Sequence, residues 1–269
     1  MAANDKRARK KQFRDEAAAA RAAELRRRTW IRFGVLGLVV AAVIGFALFS
    51  GKDDGDSSTI KDPVSATEPA ASEQPEGVAC DGEEPPASDP QQYDEPEQVM
   101  EEGVDYAAVI HTSCGDIEID LLEAKAPETV NSFIFLSQEG FYDGLTFHRI
   151  VGNFVIQGGD PEGTGQGGPG YVVPDEFPDK GREYIFGTVA MANAGPNSTG
   201  SQFFIVVHEG ANGETDEPVG LDPLYSLFGE ATEDSYDVIK EIATVEVGGP
   251  TGESPVVPVY INSIEIIER

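Results

Sequence analysis

Apolar and polar residues alternate strictly from Asp116 to Leu121, with isoleucine or leucine at every second position. This two-residue period predicts a half-buried β-strand. The apolar run that begins at Tyr106 predicts a preceding strand, and the short segment around Cys114 predicts a hairpin between the two. The chain therefore enters its folded part, at about Val104, as antiparallel β-structure.

A helix is predicted next, over residues 126–136, because Pro127 suits a first helical position and Val130, Phe133 and Ile134 share one face. A second helix is predicted over residues 233–242. Short apolar segments separated by Gly- and Pro-rich turns predict further strands near 147–157, 171–173, 184–191, 202–207, 226–229 and 256–267. Many short strands with two helices predict a mainly β fold, a closed eight-stranded antiparallel barrel capped by the helices.

An uncharged apolar stretch of 18 residues covers residues 33–50. A helix that spans a bilayer needs about 20 apolar residues, with a range of roughly 17–25. Trp30, the single tryptophan of the chain, flanks this stretch at a position where an interfacial ring is favoured. The stretch predicts one transmembrane signal anchor in the cytoplasmic membrane. A cleaved signal peptide is the alternative, although its apolar core is usually about 7–15 residues long.

Charge is divided unevenly along the chain, which carries a net charge of −29. Residues 1–32 contain 11 Lys or Arg and 4 acidic residues, a net +7, so the remainder carries −36. Basic residues stay on the cytoplasmic side of a membrane segment, so we expect a cytoplasmic N-terminus and an extracytoplasmic remainder. The acidic remainder argues against a nucleic-acid partner. Attraction to anionic lipid accounts for the basic arm.

Composition predicts four parts of the chain. Residues 1–32 are a basic cytoplasmic arm and residues 33–50 the anchor. Residues 51–103 are rich in Asp, Glu, Ser, Pro and Gly, which predicts an acidic disordered linker because such a segment buries too little apolar surface to offset its ordering entropy. Residues 104–269 are expected to form one folded domain, which we expect to be monomeric.

The two cysteines, Cys80 and Cys114, lie in the predicted linker and at the start of the second predicted strand. Outside the cytoplasm a disulfide between them is permitted, and we hypothesise one, with two free thiols as the alternative. A zinc site is not expected, because two cysteines and three scattered histidines lack the spacing of zinc ligands.

One arginine, Arg149, lies among apolar residues in the segment Phe147–Asp160, followed by a glutamine and two glycines. A guanidinium in an apolar strand is costly unless its donors are used. A second block covers Met191–Ile205, and a weaker third block covers Leu221–Gly229. In this order the blocks resemble the cyclophilins, the peptidyl-prolyl cis-trans isomerases, and the resemblance covers roughly residues 107–267.

The resemblance implies a role for each matching residue. Arg149 matches the catalytic arginine of the family, Gln157 the glutamine that steadies it, and Phe154 a wall of the proline pocket. The other matching residues are implied to bind the substrate: Val155, Ala192, Asn193, Ala194, Gln202, Phe204, Leu221 and Tyr225.

Three positions depart from the residues that are usual in the family. Val155 replaces a methionine in the pocket, Tyr225 a histidine at its edge, and Gly220 a tryptophan that many eukaryotic members have. The missing tryptophan weakens the expectation of strong cyclosporin binding. The arginine and the apolar walls that isomerisation needs are present.

A GxGxxG pattern at residues 163–168 has a different interpretation, a dinucleotide site. Pro169 and Gly170 prevent a helix from following, so a tight loop is favoured instead, and no cofactor is expected. The sequence thus predicts a membrane-anchored isomerase that acts on proline-containing segments of exported or unfolded proteins. The alternative is a barrel that binds such segments as a non-catalytic chaperone or scaffold.

Overall fold

The computed structural model describes four stretches of the chain, residues 77–86, 91–179, 184–210 and 213–269. The predicted basic arm and anchor, residues 1–50, lie outside the described residues, as does the first half of the predicted linker. Within the described stretches, no helix is both long and apolar enough to cross a membrane. The anchor therefore stays a prediction.

The described residues form eleven β-strands and two α-helices. The strands are β1 (Tyr106–Thr112), β2 (Gly115–Leu121), β3 (Leu145–Thr146), β4 (Arg149–Val151), β5 (Val155–Gly158), β6 (Thr188–Met191), β7 (Phe203–Val206), β8 (Leu227–Ala231), β9 (Val247–Gly248), β10 (Ser254–Pro255) and β11 (Tyr260–Glu268). The helices are α1 (Pro127–Gln138) and α2 (Tyr236–Ala243). Single 3-10 turns cover Ala79–Asp81 and Glu233–Ser235.

Nine of these strands form one antiparallel sheet in the order β3-β11-β1-β2-β8-β6-β7-β5-β4, and β9 pairs with β10 as a separate hairpin. Only Phe147 and His148 separate the two edge strands along the chain, so the sheet must curl to bring its edges together. The closed eight-stranded barrel expected from the sequence is not confirmed. The fold is a curled nine-stranded sheet with two helices.

The predicted strand segments are in part shorter than expected. Residues 147–157 divide into β4 and β5 at a turn, where Asn153 has a φ of 58°. Around 171–173 the chain makes a single bridge, between Val173 and Thr199, instead of a strand. In the segment 184–191 the strand begins only at Thr188.

Both faces of the central strands are covered, which explains why these strands are apolar at nearly every position. In β5, Ile156 belongs to the main core, whereas Val155 belongs to a second apolar cluster on the opposite face. In β7, Ile205 and Phe204 divide in the same way. Alternate residues of a strand point to opposite faces. One half of each apolar run therefore builds the main core, and the other half builds the second apolar cluster on the outer face of the sheet.

Helix α1 packs into the main core and is buried over all of Thr129–Ser137, more than the single apolar face that its sequence predicts. The ring of Phe133 packs against the rings of Phe203 and Phe228, with centroid distances of 5.9 and 4.9 Å. Aromatic pairs at such distances add to the stability gained from burial alone. The helix therefore anchors β7 and β8 from inside the sheet.

The N-terminal segment, residues 91–103, covers the other side of α1. The side chain of Asn131 donates to the Glu97 carbonyl at 2.8 Å and accepts from the backbone N–H groups of Val99 and Met100 at 2.9 and 3.2 Å. Tyr93 packs edge-on against Phe135. This corrects the predicted disordered linker for these residues, because their few apolar side chains and the buried amide of Asn131 hold them on the helix.

A disulfide joins Cys80 to Cys114, 34 residues away along the chain. Cys114 lies in the turn between β1 and β2, and Cys80 lies in the first 3-10 turn, where the Ala79 N–H donates to the Pro258 carbonyl at 3.0 Å. Residues 77–86 of the predicted linker are thus also attached to the domain.

Candidate active site

A pocket of about 140 Å³ opens on the outward face of β5 and β7. It is lined by nine side chains, all of which the sequence singled out: Arg149, Phe154, Val155, Gln157, Ala192, Asn193, Phe204, Leu221 and Tyr225. The three blocks of the sequence therefore meet at one place on the surface.

Strand register puts the central residues of this pocket on one face. Arg149 lies directly opposite Gln157 across β4 and β5, and Gln157 lies directly opposite Phe204 across β5 and β7. Side chains at directly opposite positions of antiparallel strands share a face and are close neighbours. A cation, an amide and an aromatic ring thus form a continuous line across three strands.

The tight turn between β4 and β5 delivers Phe154 to the pocket. The Phe154 N–H donates to the Val151 carbonyl at 3.0 Å, and Asn153 adopts the left-handed conformation that such a turn requires. The Arg149 guanidinium carbon lies 6.0 Å from the centroid of the Phe154 ring, at the outer limit of a cation–π contact. The turn therefore sets an apolar wall beside the cation.

Arg149 is bound on two sides. Its Nε donates to Oε2 of Glu253 at 2.8 Å, and its Nη2 lies 3.5 Å from Oε1 of the same carboxylate. On the opposite side, Nη1 lies 3.5 Å from Oε1 of Gln157. These contacts use the polar atoms of a guanidinium that would otherwise be costly among apolar side chains.

A chain of amides orients Gln157. Its Nε2 donates to Oε1 of Gln202 at 3.0 Å, and Nε2 of Gln202 donates to the Gly167 carbonyl at 2.9 Å. Because the amide nitrogen of Gln157 is used in this way, its oxygen faces Arg149. The orientation of the arginine is therefore coupled to the loop that contains Gly167.

Aromatic side chains support the apolar side of the pocket. The rings of Phe204 and Tyr225 pack edge to face, with centroids 5.4 Å apart. Behind them Tyr184 donates its hydroxyl hydrogen to the Tyr225 carbonyl at 2.8 Å and accepts from the Tyr225 N–H at 3.2 Å. Burial raises the pKa of Tyr184, which keeps the hydroxyl protonated as a donor. The position of Tyr225 is thus fixed through its backbone.

A larger neighbouring pocket of about 560 Å³ shares Gln157, Ala192 and Asn193 with the first. The two remaining predicted site residues, Ala194 and Gln202, line it. An extended chain that occupied both pockets would run from the apolar walls past these residues.

The Gly-rich loop, residues 163–168, forms one side of this larger pocket. Asp160, only 1% exposed, accepts hydrogen bonds from the backbone N–H groups of Glu162 and Gly165. The Gln92 side chain, from the N-terminal segment, donates to the Gly168 carbonyl at 2.9 Å. As the sequence indicates, the loop is a tight turn, here closed by a buried carboxylate.

His148 precedes Arg149, and its two buried ring nitrogens have no hydrogen-bond partner in the described part of the chain. Burial lowers the pKa of His148, and the nearby Arg149 charge lowers it further against the opposing effect of Asp160. The ring is therefore neutral at pH 7. Among the described residues there is no group of three or more His, Cys, Asp or Glu that could hold a metal ion.

Two site residues escaped the sequence analysis. Glu253 is 104 positions away from Arg149 along the chain and lies in a Gly- and Pro-rich segment, where an acidic residue carries no signal of its own. Tyr184 lies at the start of the segment 184–191, which the sequence predicts as a strand, and no pattern singles it out. Neither contact follows from local pattern, because both depend on how distant segments meet.

The folded domain is similar to known proteins. Residues 107–266 match the family model described as "Cyclophilin type peptidyl-prolyl cis-trans isomerase/CLD". The peptidyl-prolyl cis-trans isomerase of Synechococcus elongatus is 45% identical over 136 residues, which cover 50% of this chain and 87% of that protein.

Solved structures show the same fold. A crystal structure of a cyclophilin-type peptidyl-prolyl cis-trans isomerase from Cryptosporidium parvum superposes with a TM-score of 0.53 at 28% identity, covering 61% of this chain and 99% of that chain. A second crystal structure of that protein, obtained in the presence of the dipeptide Ala-Pro, gives a TM-score of 0.53 at 30% identity over the same shares of the two chains.

Proposed function

The chain belongs to the cyclophilin-type peptidyl-prolyl cis-trans isomerase family, and we propose that it accelerates rotation about X-Pro bonds by stabilising the twisted amide with Arg149. The substrates are proline-containing segments of unfolded or exported polypeptides. The observation that carries this proposal is the line of Arg149, Gln157 and Phe204 across three strands, which sets one cation beside apolar walls.

The chemistry of the reaction explains why such a site suffices. Resonance gives the peptide bond a rotational barrier of about 18–20 kcal/mol. Rotation forms and breaks no covalent bond, so it requires no nucleophile and no proton transfer to the substrate. The catalyst has to bind the twisted amide more tightly than either planar form.

Arg149 meets this requirement electrostatically. In the twisted amide the prolyl nitrogen loses its resonance, becomes pyramidal and gains a lone pair. A fixed guanidinium next to that nitrogen stabilises the twisted form and interacts less with the planar forms, where the lone pair is delocalised. The hydrogen bonds to Glu253 and Gln157 limit the motion of the guanidinium, so little reorganisation is needed.

The apolar side of the pocket holds the proline ring. This side is lined by apolar and aromatic side chains that would hold the ring while the preceding carbonyl rotates: Phe154, Val155, Phe204, Leu221 and Tyr225. Ala192 and Asn193 connect this pocket to the larger one, where Ala194 and Gln202 would contact the chain before the proline.

Replacement of Arg149 tests the proposal. The full-length chain would be assayed without a coupling protease, by following the cis-trans relaxation of a proline tetrapeptide. Loss of a preorganised donor typically costs about 10²–10³-fold in rate, and we expect a loss of this size in kcat/KM for Arg149→Ala. Arg149→Lys should also lose activity, because an ammonium cannot form the planar contacts with Glu253 and Gln157.

A wild-type chain no faster than Arg149→Ala would instead favour the second candidate, a module that binds proline segments without turnover. Titration of the same peptide, followed by NMR, would then still show binding at Val155 and Leu221. The ion pair between Arg149 and Glu253 is the observation that favours this second candidate, because it uses part of the guanidinium that would otherwise stabilise the twisted amide.

We also propose that residues 33–50 anchor the chain in the cell membrane as a single pass, with the N-terminus in the cytoplasm and the isomerase domain outside it. The uncharged stretch and the basic arm support this topology. The disulfide between Cys80 and Cys114 supports it independently, because disulfides persist mainly in oxidising compartments.

Protease treatment of intact cells tests the topology. The domain should be released or degraded while the arm, residues 1–32, stays protected. Protection of the domain together with loss of the arm would show the opposite orientation. Protection of both parts until the cells are lysed would place the whole chain inside.

A further inference from the structure

The hairpin of β9 and β10 lies along the edge of β4 that does not face β5. The Ile150 N–H donates to the Glu253 carbonyl at 2.7 Å, so the backbone of Glu253 is fixed beside the strand that contains Arg149. Arg149 pairs with Gln157 on the other side of the same strand. The arginine therefore has one partner on each neighbouring backbone segment.

The two partners contact the guanidinium unequally. The contact from Nε to the Glu253 carboxylate is 2.8 Å, the length of a charge-assisted hydrogen bond, whereas the contact from Nη1 to Gln157 is 3.5 Å. A long contact of the second kind constrains a side chain weakly. The position of the guanidinium therefore depends mainly on Glu253.

The carboxylate binds one edge of the guanidinium and leaves the other accessible. A guanidinium has five N–H donors, and the described contacts use one on Nε, one on Nη2 and one on Nη1. One donor on each Nη nitrogen remains, and both belong to the end of the side chain. The ion pair thus fixes the Nε edge while the end remains available to a substrate.

We propose that Glu253 is a positioning residue that holds the Arg149 guanidinium in the orientation needed for isomerisation. This inference rests on the proposed role of Arg149 in stabilising the twisted amide. Glu253 does not touch the substrate; it acts through the arginine. Without it the long side chain regains rotamers in which the end of the guanidinium leaves the pocket.

A purely structural role is a weaker explanation of this ion pair. The side chains of Arg149 and Glu253 are 34% and 36% exposed. Pairs this accessible to water contribute little to folding stability. Removal of the carboxylate should therefore leave the fold intact and alter the arginine.

Variants of the full-length chain distinguish an effect of the position of the Arg149 guanidinium from an effect of the Glu253 charge. We expect Glu253→Ala to lower kcat/KM about tenfold, because small displacements of a catalytic group are costly, with the loss in kcat and little change in KM. Glu253→Gln keeps an oxygen that can accept from Nε and should lose only about threefold. Glu246→Ala, which removes a carboxylate next to β9 on the same hairpin, is the matched control and should behave as wild type.

A spectroscopic readout does not depend on activity. The Nε–H signal of Arg149 should exchange slowly with water in wild type and in Glu253→Gln, and rapidly in Glu253→Ala. Thermal unfolding of each variant would confirm that the fold is retained.

Three outcomes would overturn the inference. The first is a wild-type kcat in Glu253→Ala. The second is a rise in the activity of Glu253→Ala, which would make the ion pair inhibitory. The third is a loss of activity in Glu253→Gln equal to that in Glu253→Ala, while the Arg149 Nε–H of Glu253→Gln is still protected from exchange. These outcomes are distinct from failure of the proposed function. That failure would appear as an Arg149→Ala variant as active as wild type, whatever Glu253 does.

Discussion

The amide of Gln157 faces Arg149 with its oxygen because its nitrogen donates to Gln202 at 3.0 Å. The two residues, Gln157 and Arg149, are direct partners across β4 and β5, so the strand pairing determines how far apart they lie. The hydrogen bond to Gln202 determines which end of the Gln157 amide faces the arginine. Distance and amide orientation thus have separate structural causes, and each can be changed alone.

Gln157→Leu should keep the strand pairing and remove the amide oxygen that faces Arg149. The Nη1 contact, which is 3.5 Å long, and the link to Gln202 would both be lost. Because so long a contact constrains the arginine only weakly, we expect a loss of roughly threefold in kcat/KM, measured on a proline tetrapeptide. Gln98→Leu, in the N-terminal segment away from the pocket, is the control. Equal activity of the two variants would show that the amide chain does not serve Arg149.

Loss of the disulfide should destabilise the domain without altering the pocket. Cys80 and Cys114 close a loop over a sequence separation of 34, and a loop of this length constrains the unfolded chain by roughly 4 kcal/mol in the entropy model. The double variant Cys80→Ser with Cys114→Ser should unfold at a lower denaturant concentration and keep its kcat. A midpoint that matches the oxidised wild type would contradict this expectation.

Asn131→Leu should detach the N-terminal segment, residues 91–103. The substitution removes the hydrogen bonds to Glu97, Val99 and Met100, and we expect a loss of about 2–3 kcal/mol in the free energy of unfolding. Hydrogen exchange at the amides of Val99 and Met100 should become fast. Gln138→Leu, at the end of α1, is the control. Unchanged protection in Asn131→Leu would mean that other contacts hold the segment.

His148 should make stability depend on pH in the mildly acidic range. Burial lowers its pKa in the folded state, whereas the unfolded chain titrates near the ordinary value of about 6.5. Below that value the unfolded state binds more protons than the folded state. The contribution of His148 is therefore complete above pH about 6.5 and declines as the pH falls toward the lower folded-state pKa.

Denaturant unfolding at pH 7.5 and pH 5 measures this effect. Wild type should lose more stability between the two pH values than His148→Gln, which has no ionisable group at that position. An identical loss in both proteins would assign the acid sensitivity to other groups.

Local pattern predicted the elements whose period is clear. The alternation in β2 and the apolar positions around Pro127 gave a strand and a helix that the structure contains. Pattern was less informative where both faces of a strand are covered. In 147–157 a turn at Asn153 divides into two strands an apolar run that was predicted as one segment, although Gly152 and Asn153 are residues typical of such a turn.

Composition also misassigned the start of the folded unit. The segment 91–103 is acidic and poor in apolar residues, yet it lies on α1 because Asn131 and Phe135 offer it specific partners. Those partners are more than 30 positions away along the chain, so no local property of the segment reveals them.

The order of the three blocks along the chain was enough to predict which residues form the pocket, because these blocks carry Arg149, Phe204 and Leu221. The way in which the arginine is held depends instead on how distant segments meet in the fold. The register of β4 and β5 sets Gln157 opposite it, and the hairpin of β9 and β10 brings Glu253 to its Nε. The physical reason is that the energy of a cation depends on the charges and dipoles a few ångströms away, and the folded sheet, not the order along the chain, determines which ones those are.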